Sequence, residues 1–173
     1  VIHGECNALL IDRCRNYNWS QHRAVLFLDP FGMQVRWETV EAIASTRAID
    51  LWYLFPIGIG VNRTLTSGHH PSEAFSDRLD VVLGTDAWRS AFYRSSREAG
   101  LFGDEHVVQK DTDFDRIKDF FLERLRCLFP GVADNPLILR NSRNSPMYLL
   151  CFAAANEKGA PVAVKIAQRI LKE

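Results

Sequence analysis

The chain is short of cysteine and has no net charge. Four cysteines occur in 173 residues: Cys6, Cys14, Cys127 and Cys151. None forms a CxxC pair, and each sits in or beside an apolar run. That spacing excludes a disulfide framework and a structural zinc set of closely paired ligands. The expectation is four reduced thiols, mostly packed as small apolar groups, in a cytoplasmic protein. Twenty-one basic residues balance 21 acidic ones. A neutral balance excludes coating of nucleic acid or anionic membrane by bulk charge and leaves only local basic patches. No run approaches 18 apolar residues, so no membrane span is expected. No N-terminal signal pattern occurs. Internal repeats, low-complexity linkers and a GxSxG nucleophile motif are likewise absent. The first residue is Val1 rather than Met. The chain is therefore expected to be a fragment, or the ordered part of a longer protein.

What is present suits one globular domain. The hydrophobic share is 47% and the charged share 24%, enough to bury a core. Val1-Ile2-His3 is a short apolar start with strand character, ended by Gly4. Asn7 to Asn16 reads as a helix, with Asn7 as its cap. Arg23 to Leu28 is a continuous apolar run that stops at Asp29-Pro30-Phe31-Gly32, as a strand buried on both faces does. Trp37, Val40, Ile43 and Ala44 recur at helical spacing, so a helix covers Trp37 to Thr46. Ile49 to Phe55 is again apolar and stops at Pro56. Strand, helix and strand in this order make a βαβ unit, with strands 25–28 and 51–55 expected at the sheet centre.

Helices follow. One opens at Pro71-Ser72-Glu73, lines its face with Phe75, Leu79 and Val82, and ends at Gly84. A second is expected from Asp86 to Glu98. A third starts at Thr112 or Asp113, with Phe114, Ile117, Phe121 and Leu125 on its core stripe. The end returns to β: runs at 137–139 and 147–154 flank a polar turn and read as an antiparallel hairpin. A closing helix covers Pro161 to Lys172, with Val164, Ala167 and Leu171 inside. The whole is an α/β domain, its sheet parallel at first and antiparallel at the end.

Ligands of open α/β sheets bind beyond the carboxyl ends of the strands. Three loops qualify: Gly4 to Asn7, Asp29 to Gly32, and Pro56 to Gly60. Glu5 is either a solvated loop acid or an acceptor for an adenine amino group or ribose hydroxyl. Asp29 either caps the following segment or accepts a hydrogen bond or proton from a substrate amine. The Pro30 carbonyl can accept a second hydrogen bond, and Phe31 can stack on a flat ring. Gly58-Ile59-Gly60 is a lone GxG. Arg63 stands where a dinucleotide fingerprint needs its third glycine, so that fingerprint is rejected. Arg63 itself suits an anionic group or a local cap. His69-His70 lacks a matching Asp, Glu or Cys cluster and reads as loop rather than metal site. Arg140 and Arg143, with Asn141 and Asn144, form a polar hairpin tip, either a solvated turn or a contact for a phosphate backbone.

The segments Phe27-Leu28-Asp29-Pro30-Phe31-Gly32-Met33, Trp37-Glu38-Thr39, Leu54-Phe55-Pro56-Ile57-Gly58 and Asn62-Arg63 resemble the three-Cys-motif partner family (TcmP). So do Pro146-Met147-Tyr148 and Cys151-Phe152-Ala153. The resemblance covers most of the chain and implies a Rossmann-like, S-adenosylmethionine-dependent methyltransferase-type sheet. That sheet would be mostly parallel, with a C-terminal antiparallel hairpin, a helical insertion at about 64–130, and its N-terminal strands missing from the chain. It implies S-adenosylmethionine as cofactor and a radical-S-adenosylmethionine-like protein with three cysteines as partner. Glu5 and Cys6 sit where such enzymes hold the adenosine. Asp29, Pro30 and Phe31 sit where amino-methyltransferases carry Asp-Pro-Pro-aromatic, so they take the catalytic roles, and Arg63 takes an anionic group of the substrate. Phe31 stands in place of the second proline and Gly32 in place of the aromatic, and no glycine-rich cofactor loop is in the chain. The alternatives are a non-catalytic methyltransferase-like interaction module that docks through its helices, and a nucleic-acid-binding or modifying protein.

Overall fold

The computed structural model describes residues 2–65, 69–100 and 103–172. Val1 lies outside them. Ile2 and His3 belong to no strand, and Ile2 is exposed. The expected N-terminal strand is therefore not formed by the residues described, because Ile2 has neither a strand partner nor a core to enter.

The first helix, α1 (Cys6–Asn16), is capped by Glu5 rather than by Asn7. Strand β1 (Ala24–Leu28), helix α2 (Trp37–Ser45) and strand β2 (Ile49–Phe55) form the expected βαβ unit, with β1 and β2 parallel. Further along lie α3 (Glu73–Leu83), α4 (Trp88–Phe92), β3 (Tyr93–Gly100), β4 (Gly103–Lys110), α5 (Phe114–Arg126), β5 (Gly131–Val132), β6 (Leu137–Arg140), β7 (Pro146–Ala154) and α6 (Ala160–Ile170). β7 pairs antiparallel with β2 on one side and with β5 and β6 on the other. The sheet is thus mixed. It starts parallel and ends antiparallel, with β6 and β7 as the expected hairpin.

Two expectations fail here. β2 is central, but β1 is the edge strand, with Val25 69% and Phe27 56% exposed. An apolar run reports the hydrophobicity of both faces. It does not report whether a neighbour covers the second one. The helix expected from Asp86 to Glu98 stops at Phe92. The chain then turns into the antiparallel ribbon of β3 and β4, so the insertion is helical only in part. Tyr93-Arg94-Ser95-Ser96 has little helix propensity, and pairing with β4 overrides what there is.

The core lies on one face of the sheet. Leu51, Tyr53 and Phe55 of β2 and Leu149, Cys151 and Ala153 of β7 are buried with Val40 and Ile43 of α2. Phe121 of α5 is the common anchor, stacked on Phe55 and edge-on to Tyr53. Asp113 caps α5 through the Arg116 amide at 2.8 Å. On the other face, Ala160, Ala167 and Leu171 pack near Phe152 and Ala154. This cluster leaves Val162, Ile166 and Ile170 exposed as a stripe on α6.

Helix α3 borders the region described below, and three contacts fix it. Gly84, which caps its C-terminus, adopts a left-handed φ of 66°, and a Cβ there would overlap the Trp37 ring. Arg124 donates to the Leu83 and Gly84 carbonyls at 3.0 and 3.1 Å, a cation at a helix C-terminus. Asp80 accepts from both Arg89 guanidinium nitrogens at 2.6 and 3.0 Å and from the Trp88 indole at 2.7 Å. Phe75, expected inside, is exposed, and Ser76 takes the buried place with Leu79, Val82 and Leu83.

The Arg89 hydrogen bonds hold the Asp80 carboxyl below the ordinary aspartate range. A depressed folded-state value contributes stability above the unfolded value and loses it as pH falls through the folded one. Asp80→Asn is therefore expected to lower the melting temperature at neutral pH. The difference from wild type should vanish in acid, below the ordinary aspartate range. A pH-independent difference in thermal unfolding would show that the carboxylate charge plays no part.

Candidate functional site

Beyond the carboxyl end of β1 lies a cleft of about 930 Å³. Two of the three loops expected to line a crevice meet there, and α3 closes the opposite side. Glu5, Cys6, Asp29, Pro30 and Phe31 all line it. Arg63 does not. It follows a π-helical turn, Ile57–Asn62, in which the Gly60 and Val61 amides both donate to the Pro56 carbonyl. The segment Pro56 to Gly60, expected as an open loop, is wound into this turn. Gly58 there approaches the backbone of β7 too closely for any Cβ.

The two loops are joined by a buried amide. Asn7 donates from Nδ2 to the Gln34 carbonyl at 3.0 Å and to Glu5 Oε1 at 2.6 Å. Its Oδ1 accepts from the Arg36 amide at 2.9 Å and from the Thr39 hydroxyl at 2.8 Å. Asn7 and Thr39 are buried, so these bonds form away from water. Asn7 therefore does not cap α1. It clamps the start of α1 to the segment that follows the Asp29 loop and to the start of α2.

Glu5 performs the cap. Its Oε1 accepts from the Asn7 amide at 3.1 Å and its Oε2 from the Ala8 amide at 2.7 Å. Those hydrogen bonds, the Ala8 amide foremost, hold its carboxyl below the ordinary glutamate range. Arg36 approaches Oε2 at 3.5 Å, the longest contact of the set. A carboxylate has about four acceptor positions, and protein donors occupy all of them. Three are short and structural. The fourth, toward the exposed Arg36, is weak enough for a ligand hydroxyl to displace. Glu5 thus fits an adenosine cofactor through one acceptor position, not two. Burial, and secondarily the Glu5 charge, push the Cys6 thiol up. Cys6 is a neutral wall of the cleft and not an activated nucleophile.

Asp29 is exposed at the mouth, with Pro30 buried behind it. The turn goes on through Gly32 at φ 66°, a left-handed conformation that glycine adopts at little cost. This turn leaves the Phe31 ring 88% exposed at the cleft. Across from it, Ala74, Asp77, Arg78 and Val81 form one stripe of α3. None of these four stood out in the sequence, since the apolar pattern of α3 marks only its buried face. Asn7 carried a signal in its polarity beside an apolar helix, but that signal was equally compatible with a cap.

The remaining candidates lie elsewhere. Arg140 donates to the Asn144 carbonyl at 2.9 Å and closes the hairpin tip, where Arg143 is exposed. Cys14 and Cys151 are buried, whereas Cys6 and Cys127 are exposed, so only half of the thiols are packed as expected. Among the described residues, no group of three His, Cys, Asp or Glu side chains could hold a metal ion. No helix of the described residues is long and apolar enough to cross a membrane. No family model, curated protein or solved structure matches this chain.

Removing the Asn7 amide would leave four partners to find water or go unpaired. Asn7→Ala is expected to cost about 2–3 kcal/mol, the penalty for orphaning buried polar groups. Urea unfolding measures the loss, and hydrogen exchange at the Arg36 amide should speed up with it. Unchanged exchange at Arg36 would show that Asn7 does not hold the two loops together.

Proposed function

We propose that the chain is a methyltransferase-type α/β domain that moves a methyl group from S-adenosylmethionine to an amine, acting with a three-cysteine, radical-S-adenosylmethionine-like partner. One observation carries the reading: Glu5 and Cys6 line the same cleft as Asp29, Pro30 and Phe31, beyond the carboxyl end of a parallel strand. The sheet adds support. A parallel pair followed by an antiparallel strand beside β2 suits a Rossmann-like methyltransferase-type sheet. The free apolar edge of β1 suits a sheet of that type continuing past it.

Each residue then has a task. Glu5 accepts a ribose or adenine hydrogen bond at the position Arg36 leaves. Asp29 accepts an N–H hydrogen bond from the target amine, points its lone pair at the incoming carbon, and takes up the released proton. Buried Pro30 restrains the backbone that carries Asp29. Phe31 packs on the flat part of the substrate and excludes water from one side. The bound cofactor supplies an electrophilic methyl group. In-line displacement needs alignment above all, and the Asn7 clamp, which ties the Glu5 loop to the chain that follows the Asp29 loop, contributes to that.

A second reading, the non-catalytic interaction module, draws on the exposed Val25 and Phe27 and on the α6 stripe Val162, Ile166 and Ile170. The test separates the two. The protein and its partner are incubated with methyl-labelled S-adenosylmethionine and a mixture of amine-bearing acceptors. Labelled product is expected, and Asp29→Ala should reduce it by about 100-fold or more, the usual scale for a lost acid–base group. The melting temperature of the variant should stay unchanged, since Asp29 is exposed. Full labelling by Asp29→Ala would remove the amine-orienting role. No labelling with a partner that still binds would favour the interaction module.

A further inference from the structure

The cleft contains more charge than the methyl-transfer reading uses, and only part of it is paired. Arg36 faces Glu5 at 3.5 Å. Asp77 acts on Arg89, raising its affinity for a proton, alongside the hydrogen-bonded Asp80. Arg78 has no such partner: among the described residues, no hydrogen bond or ion pair holds its guanidinium. It is exposed and lines the cleft from α3, one turn from Val81. The loop opposite offers Asp29, which no hydrogen bond or ion pair engages among the described residues, and the bare ring of Phe31. An unpaired cation, an unpaired anion and an uncovered ring thus share one cleft. The chemistry complementary to all three is an amine on a flat ring that also carries an anionic group.

We infer that Arg78 sets the substrate specificity of the cleft: it binds a carboxylate or phosphate on the ligand whose amine meets Asp29 and whose ring lies on Phe31. The inference rests on reading Asp29 and Phe31 as the substrate end of the site. It also assigns to α3 the anion-binding task expected at Arg63, which lies outside the lining. A guanidinium suits this role because its planar fork matches the two oxygens of either anion. The rest of the α3 stripe is Ala74 and Val81, which carry no side-chain donor, and Asp77, whose charge acts on Arg89, so Arg78 is the one α3 group in the lining that can hold an anion.

The test is a ligand-observed NMR titration of the intact chain with three probes: 4-aminobenzoate, 4-aminophenyl phosphate and the neutral 4-aminobenzamide. The anions should bind about tenfold tighter than the amide, the worth of one charge-assisted hydrogen bond. Arg78→Ala should bring all three to the affinity of the amide without changing the melting temperature. Arg78→Lys should restore part of the preference, because it keeps the charge and loses the fork. The order of the two anions identifies carboxylate or phosphate as the native group. Equal binding of all three probes by the wild type, a preference that survives Arg78→Ala, or no binding of any probe overturns the inference. Benzoate, which lacks the amine, separates the two claims. If it binds as well as 4-aminobenzoate and still depends on Arg78, the anion site stands and the amine role of Asp29 falls.

Discussion

One buried amide organises the functional end of this molecule. Asn7 reaches the Glu5 carboxylate, the Gln34 carbonyl, the Arg36 amide and the Thr39 hydroxyl at once. Those groups belong to stretches of chain about 30 residues apart in sequence, and each leads to a different wall of the cleft. A single asparagine can do this because it carries two donors and an acceptor with two lone pairs. Burial raises the stakes, since an unpaired group there has no water to fall back on. The separation between the Glu5 loop and the Asp29 loop is therefore set by hydrogen-bond geometry.

The rest of the fold supplies rigidity behind that clamp. Phe121 stacks on Phe55, and its helix carries Arg124, whose guanidinium closes the end of α3 and lies over Trp37. Trp37 in turn fills the space that Gly84 leaves beside it. The core of the sheet and the α3 wall of the cleft are thus one packed system. A change at Gly84 would reach Arg78 through the helix that ends there, with no contact between the two residues needed.

Much of this was legible in the sequence, and the failures have physical causes. The βαβ unit, the C-terminal hairpin and α5 follow from periodicity alone, because each has a core to face and a clear stop. The cleft follows from one rule, that loops after strands of an α/β sheet converge. Asp29, Pro30 and Phe31 reach it by that route; Glu5 and Cys6 line it too, but from the start of a helix that no strand precedes among the described residues, and Arg63 stays outside. What could not be read depends on partners distant in sequence. Local polarity does not say whether Asn7 caps its own helix or bonds elsewhere, and Glu5 took the cap instead. An apolar strand such as β1 looks the same at an edge as at the centre. The β3–β4 ribbon is set by pairing between its two strands, which a helical reading of Asp86 to Glu98 does not see. Arg78 lies on the exposed side of α3, where hydrophobic periodicity carries no signal.

Direct binding tests most sharply whether the cleft is a cofactor and substrate site. Calorimetric titration of S-adenosylhomocysteine into the protein should give saturable, one-to-one binding. Glu5→Gln, which keeps an oxygen for the cap but loses the charge, should weaken it, while Arg63→Ala should leave it unchanged. Binding that is absent from the folded protein, or that ignores Glu5, would contradict a cofactor site in this cleft.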